Sequence, residues 1–144
     1  TSLELQSEAM EKINLRLQDK YKAMEENEVR YEALACDDAD YVIVAFGSSA
    51  RICSATVEMA RAEGIRLGML RPITLYPFPT RPIAELAARV KGFLSVELNA
   101  GQMVEDVRLA VNGAVPVEHY GRQGGIIYSP DEVLAALKEK LIKA

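Results

Sequence analysis

The chain has 144 residues, enough for one compact domain with a hydrophobic core, and its 49% hydrophobic and 26% charged residues are ordinary for a globular protein. A net charge of −4 with no basic run excludes the basic face that sequence-independent nucleic-acid binders need. Its apolar stretches are too short to span a bilayer. We therefore expect neither nucleic acid nor membrane among its partners.

The N-terminal segment, residues 2–27, is predicted to form one long helix. Its apolar residues recur at steps of three, four and seven and form one narrow stripe: Leu3, Met10, Ile13, Leu17, Tyr21 and Met24. The opposite face is charged and polar. Because so thin a stripe covers little core, we expect this helix to dock against another element or another chain.

The next segment, VRYEALA at 29–35, alternates apolar and polar side chains and predicts a short edge strand. From Tyr41 onward, strands and helices alternate. The predicted strands are YVIVAF (41–46), IRLGMLRP (65–72), FLSVEL (93–98) and VPVEHY (115–120), and the predicted helices span 49–63, 82–91, 101–112 and 129–144, the last capped by Ser129. This alternation predicts an α/β fold with a parallel sheet covered on both faces.

The two cysteines, Cys36 and Cys53, lie 17 positions apart. This spacing fits neither a CxxC pair nor a set of cluster ligands, so we expect no zinc or iron–sulfur centre within the chain. Buried free thiols in a reducing compartment are the favoured interpretation, which predicts a cytoplasmic protein.

Four loops leave the carboxyl ends of the predicted parallel strands, where ligands of such sheets bind. They are GSSAR at 47–51, RPITLYPFP at 71–79, NAGQ at 99–102 and GRQGG at 121–125. Together they carry five glycines, small polar residues and three arginines, Arg51, Arg71 and Arg122. Any contact surface is expected at this rim.

The GSSAR segment runs from a buried strand into a helix, as phosphate-binding loops do. It lacks the GxGxxG pattern of dinucleotide sites and the GxxxxGK pattern of P-loops. What remains is a helix amino terminus, a weak anion site that Arg51 can strengthen. On these residues alone, the favoured interpretation is that Ser48 or Ser49 caps the helix.

No residue set of the chain forms a self-contained active site. His119 is the only histidine, and we expect local hydrogen bonds to satisfy it. Glu97 has no neighbouring carboxylate for acid–base work and is expected to accept hydrogen bonds from Asn99, Gln102 or a neighbouring loop. We assign no catalytic residue and no metal ligand.

The loop at 72–82 contains four prolines. Its aromatic residues, Tyr76 and Phe78, are expected to be exposed between these prolines. A stiff apolar projection of this kind suits docking against another domain better than catalysis.

Four segments, VIVAFGSSARI, LRPITLYPFP, VELNAGQMVEDVRLAV and EHYGRQGG, together resemble the C-terminal portion of the alpha subunit of 2-oxoacid:ferredoxin oxidoreductases. GQMVEDVRLAVNG combined with HYGRQGG is most similar to the 2-ketoisovalerate branch. The resemblance implies a transketolase C-terminal-like fold, with three α/β/α layers and a five-stranded, mostly parallel sheet whose one antiparallel strand is VRYEALA. Residues 1–27 would be a connector helix and residues 28–144 the domain itself.

The resemblance also implies a reaction, the oxidative decarboxylation of a 2-oxoacid with coenzyme A to an acyl-CoA, carbon dioxide and reduced ferredoxin. In the complete complex, thiamine diphosphate with Mg²⁺ and the iron–sulfur clusters would be held by other domains and subunits. This chain would hold no cofactor and would be inactive alone. It would support assembly and shape the active-site entrance, with those domains, those subunits and ferredoxin as partners of the complex.

Within this chain, the rim at the strand ends is expected to face a neighbouring domain or an incoming anionic group, such as a substrate carboxylate or a coenzyme A phosphate. The residues proposed for this contact are Gly47, Ser48, Ser49, Arg51, Asn99, Gly101, Gln102, Gly121 and Arg122. The alternatives are a stand-alone module that binds a small anion and an oligomerisation module. The exposed striped helix favours a piece of a larger assembly over both.

Overall fold

The computed structural model describes residues 5–143, which form alternating strands and helices. The elements in chain order are α1 Ser7–Asn27, β1 Tyr31–Leu34, β2 Tyr41–Val44, α2 Gly47–Ala62, β3 Leu67–Pro72, α3 Thr80–Ala87, β4 Gly92–Glu97, α4 Met103–Val111, β5 Val117–Gly121 and α5 Pro130–Leu137, followed by a π-helical turn, Lys138–Ile142. The α/β fold predicted from the sequence is confirmed. No helix within residues 5–143 has both the length and the apolar content required to cross a membrane.

The five strands form one sheet in the order β1-β3-β2-β4-β5. Three neighbouring pairs are parallel, and β1 pairs with β3 in the antiparallel direction. The edge strand predicted from VRYEALA is therefore confirmed, as is its opposite direction. The register places Glu32 of β1 opposite Arg71 of β3.

The sheet separates two hydrophobic clusters because alternate residues of its central strands point to opposite faces. Val42, with Phe93 and the apolar sides of α3 and α4, forms one cluster. Ile43 and Leu94, with α2 and α5, form the other. Each face of the sheet is thus covered by two helices, which makes three layers.

The two thiols lie in different clusters, and both are free and buried. Burial raises the pKa of the Cys53 thiol to about 12, and it also raises the pKa of Cys36. The prediction of buried free thiols is confirmed. Both thiols stay protonated near neutral pH and are poor nucleophiles.

The helix predicted at 2–27 begins at Ser7, because Gln6 has an extended backbone. Leu3 of the predicted stripe lies outside the described residues. No residue of α1 is buried, and the ring of Tyr21 contacts that of Tyr76 edge-on at 6.1 Å. Tyr21 of the stripe thus contacts the proline loop of its own chain, although the stripe is not buried. Docking of α1 against another chain stays a prediction.

The helices at 82–91 and 101–112 were predicted with wrong bounds. α3 ends at Ala87, since Arg89 and Val90 both donate their N–H groups to the Leu86 carbonyl and close the chain in a turn. α4 ends at Val111, where Asn112 adopts a left-handed conformation with φ 49°.

The last helix begins as predicted, but α5 itself ends at Leu137. The Ser129 side chain accepts from the N–H of Glu132, and the Glu132 side chain accepts from the N–H of Ser129.

Candidate functional site

A cavity of about 860 Å³ opens between the edge of the sheet and the amino terminus of α2. We name it the arginine cavity. Its lining residues are Glu32, Ala33, Leu34, Gly47, Ser48, Ala50, Arg51, Ser54, Met69 and Arg71. It therefore joins the carboxyl ends of β2 and β3 to the outermost strand.

The first turn of α2 forms one wall of this cavity. The helix begins at Gly47, which has a φ of +56°, and its N-cap, Phe46, offers no side-chain acceptor. The prediction that Ser48 or Ser49 caps the helix is wrong, because both lie within the first turn. Ser48 lines the cavity. Ser49 is 4% exposed, and its Oγ accepts a hydrogen bond of 2.6 Å from the hydroxyl of Tyr128.

The charge of the arginine cavity is positive. Among residues 5–143, no carboxylate pairs with the exposed guanidinium of Arg51. Arg71 donates from Nη1 to Glu32 at 2.9 Å, but its buried Nε has no hydrogen-bond acceptor within the described part of the chain. Two guanidinium groups and an uncapped helix start therefore face the cavity against one carboxylate, an arrangement suited to an anion.

The carboxyl end of β4 is closed instead by a buried carboxylate. Glu97 is 1% exposed, and its oxygens accept from the Oγ of Ser95 and from the N–H groups of Gln102, Met103 and Val104 at 2.8–3.1 Å. Burial alone raises the pKa of Glu97, but the three N–H hydrogen bonds outweigh burial and hold the pKa below its usual range. The prediction that Glu97 accepts from the following loop is confirmed.

His119 lies beside this carboxylate without a hydrogen bond. Its Nε2 is buried, has no hydrogen-bond partner among the residues that the structure describes and lies 3.8 Å from the Oε1 of Glu97, so the prediction of a locally satisfied histidine is wrong. A Cβ on Gly121 would lie 2.3 Å from the Asn99 carbonyl oxygen and 2.8 Å from a carbon of the His119 ring. Gly101 also abuts the ring. The NAGQ and GRQGG loops are thus packed against each other here.

The remaining rim residues also serve the fold. Arg122 donates to Glu132 at 3.1 Å, at the start of α5. The Asn99 side chain accepts from the N–H of Gly101, and Gln102 is the N-cap of α4. These residues lie with the β4 and β5 ends and do not line the arginine cavity.

The rim predicted as one surface is therefore two. Gly47, Ser48 and Arg51 meet in the arginine cavity, together with Arg71 and Glu32, which were not among the proposed contact residues. The sequence did place Arg71 among the arginines of the loops at the strand ends. Glu32 had no local signal, because it reaches the cavity only through the pairing of β1 with β3.

The proline loop is only partly exposed. Tyr76 is exposed, as predicted, whereas Phe78 is half-buried and packs against the cluster beneath α3 and α4, so its predicted exposure is wrong.

Residues 39–133 match the pyruvate:ferredoxin oxidoreductase core domain II family. The chain is 49% identical, over 139 residues, to the ketoisovalerate oxidoreductase subunit VorB of Methanothermobacter thermautotrophicus, covering 96% of this chain and 39% of that protein. It is 37% identical to the 2-oxoglutarate synthase subunit KorA of Methanothermobacter marburgensis, covering 88% of this chain and 34% of that protein. The chain thus spans well under half the length of the curated relatives it matches.

Two solved structures share the fold. The 2-oxoglutarate:ferredoxin oxidoreductase from Magnetococcus marinus, with 2-oxoglutarate, coenzyme A and succinyl-CoA bound, superposes with a TM-score of 0.81 at 20% identity, over 96% of this chain and 24% of that one. A split-gene transketolase, an inactive tetramer, superposes with a TM-score of 0.67 at 20% identity, over 78% of this chain and 41% of that one. The transketolase-like fold implied by the sequence is confirmed.

Proposed function

Because the chain belongs to the pyruvate:ferredoxin oxidoreductase core domain II family, we propose that it is the C-terminal part of a subunit of a 2-oxoacid:ferredoxin oxidoreductase that acts on 2-ketoisovalerate. The observation that carries this proposal is the higher identity to the ketoisovalerate subunits than to the 2-oxoglutarate subunits. A stand-alone module is not favoured, because the similarity to a much longer subunit extends over nearly the whole chain.

The complete enzyme would decarboxylate the 2-oxoacid oxidatively with coenzyme A and pass the electrons to ferredoxin. Within residues 5–143, no three His, Cys, Asp or Glu side chains are placed to hold a metal ion, and the two thiols lie in separate clusters. The donor sets for Mg²⁺ with thiamine diphosphate and for iron–sulfur clusters therefore do not fit these residues. Other domains and subunits would bind those groups, and this chain alone would be inactive.

The burial of residues along the chain suggests two parts with different roles. α1 buries none of its residues, whereas the sheet and the other helices share two buried clusters. We assign residues 1–27 to a connector and residues 28–144 to the domain. The domain would support assembly and shape the entrance to an active site built elsewhere.

The arginine cavity is the part of this domain best suited to meet an anionic group. That group would be the carboxylate of the 2-oxoacid, a phosphate of coenzyme A or an acidic side chain of a neighbouring domain. Arg51, which lacks an ion-pair partner among the described residues, would bind it. Of the proposed contact residues, only Gly47, Ser48 and Arg51 line this cavity.

The proposed binding of an anionic group by Arg51 is tested with Arg51→Ala in the assembled enzyme. Arg122→Ala is the control variant. Loss of one charge-assisted hydrogen bond to an anion raises KM for coenzyme A or for the 2-oxoacid about tenfold. Arg122→Ala leaves both constants unchanged, because that guanidinium already pairs with Glu132. If Arg51→Ala reduces subunit association instead, the anion belongs to a neighbouring domain. Unchanged assembly and unchanged KM values refute the role of the cavity.

The substrate branch has a separate test. The assembled enzyme is assayed without oxygen on branched, aromatic and dicarboxylic 2-oxoacids, with reduction of ferredoxin as the readout. The branched acid is expected to be turned over fastest. Faster turnover of 2-oxoglutarate would contradict the proposed branch while leaving the family untouched.

A further inference from the structure

A second hollow, of about 910 Å³, lies on the other face of the sheet, between the end of α1, the proline loop and the starts of α3 and α4. We name it the acidic groove. Its lining residues are Glu25, Glu26, Val29, Tyr31, Leu75, Tyr76, Pro77, Phe78, Thr80, Arg81, Pro82, Glu85 and Asp106. It shares no residue with the arginine cavity.

The lining of the acidic groove includes several exposed apolar side chains. Tyr76, Leu75 and Tyr31 are 57%, 46% and 43% exposed. Phe78 packs against the core below them, which fixes the loop to the domain. Large apolar side chains exposed singly are common, but several together in a concave surface mark an interaction site.

The rim of the groove carries unbalanced negative charge. Arg81, the one basic residue among the described residues that line the groove, already pairs with Glu85 at 2.9 Å. Among residues 5–143, the carboxylates of Glu25, Glu26 and Asp106 have no ion-pair partner. Three uncompensated carboxylates therefore line the groove together with these apolar side chains.

We infer that the acidic groove binds a segment of another polypeptide that carries lysine or arginine beside aliphatic or aromatic side chains. The apolar side chains would cover Tyr76 and Leu75, and the cations would meet the rim carboxylates. This inference draws on the proposed function only for the presence of other polypeptides. It does not depend on the arginine cavity, so each can fail alone.

A second copy of this chain fits the groove less well. Several segments of the chain place basic residues beside apolar ones, among them 20–22, 89–91 and 140–143. Tyr21 already contacts Tyr76, Val90 is buried, and Leu141 is half-buried against Gly92 of β4, so their apolar residues are used by their own domain. The occupant is therefore expected to be a different polypeptide.

Two labelled peptides of equal length test the inference against the complete 144-residue chain, one alternating lysine with leucine and one alternating glutamate with leucine. Fluorescence anisotropy is expected to detect binding of the lysine peptide only, and this binding should weaken as salt is added. Equal binding of the two peptides would overturn the charge complementarity.

Matched variants locate the binding. Glu26→Lys is expected to weaken binding of the lysine peptide about fivefold, and Tyr76→Ala by a similar factor without any change in charge. Glu58→Lys changes the net charge equally but lies on α2, outside the groove, and should alter binding less than about twofold. Equal effects of Glu26→Lys and Glu58→Lys on peptide binding would show that the peptide does not bind in the acidic groove.

Sedimentation tests whether a second copy of the chain occupies the groove. If the chain self-associates and Glu26→Lys abolishes this association, the occupant is a second copy, and the inference of a different polypeptide is overturned.

Discussion

The amino termini of α2 and α4 both follow buried parallel strands, β2 and β4, which are neighbours in the sheet. The α4 terminus is closed from within, because Glu97 accepts hydrogen bonds from three of its first N–H groups. The α2 terminus has no side-chain cap and opens on the arginine cavity. Two helix starts in equivalent positions thus differ in role. The carboxylate of Glu97 closes the start of α4, whereas the start of α2 lies beside guanidinium groups and is a candidate anion-binding site.

The difference can be traced to one pair of positions. Val44 of β2 lies opposite Ser95 of β4 in the sheet. Two residues further along each strand stand Phe46 and Glu97. The phenyl ring packs on the core and cannot accept a hydrogen bond, whereas the carboxylate accepts four. One side-chain difference therefore decides which helix start stays available to a ligand.

The largest difference between the two ends is expected for glycine substitutions. Gly121→Ala would place a Cβ 2.3 Å from the Asn99 backbone, which cannot move aside, and should lower the free energy of unfolding by about 3 kcal/mol. Gly47→Ala meets open space and costs about 1 kcal/mol, for its left-handed backbone alone. Urea denaturation of both variants measures this, and equal losses would contradict a packed β4–β5 end.

Glu97→Gln removes the charge that closes α4 and should cost about 2 kcal/mol at neutral pH. Because the pKa of Glu97 is lower in the folded than in the unfolded chain, its contribution is fully present above the ordinary carboxyl pKa. That contribution is lost as pH falls through the lowered folded pKa. The stability of the variant should therefore depend less on pH in this acidic range.

The control for this substitution is Glu105→Gln, on the exposed side of the same helix, which should change stability by less than about 0.5 kcal/mol. Denaturation curves recorded from neutral to acidic pH compare the three proteins. Parallel pH profiles for wild type and Glu97→Gln would show that the carboxylate does not close α4 as described.

The smallest expected effect lies at the α2 end. Tyr128→Phe removes the hydrogen bond to Ser49, the buried serine of the first turn, and should cost about 1 kcal/mol. Tyr76→Phe, at an exposed ring, serves as the control and should cost nothing measurable. Thermal unfolding of both variants checks this, and no loss for Tyr128→Phe would mean that the α2 start is not held by this bond.

Local patterns in the sequence determined much of this protein. Alternation of apolar and polar residues predicted the edge strand at VRYEALA, because this periodicity depends on residues only a few positions apart. The alternation of predicted strands with predicted helices along the chain then predicted the α/β class. The capping box between Ser129 and Glu132 is equally local. Even the acceptor role of Glu97 could be predicted, since its donors follow within seven residues.

Only the tertiary structure decided which of the rim residues meet. Arg71 reaches Glu32 across 39 residues, and Tyr128 reaches Ser49 across 79. Such contacts depend on the order and register of the strands, which no local spacing encodes. For that reason the sequence predicted one continuous rim, whereas the folded chain closes the β4 and β5 ends and leaves the β2 and β3 ends open around Arg51.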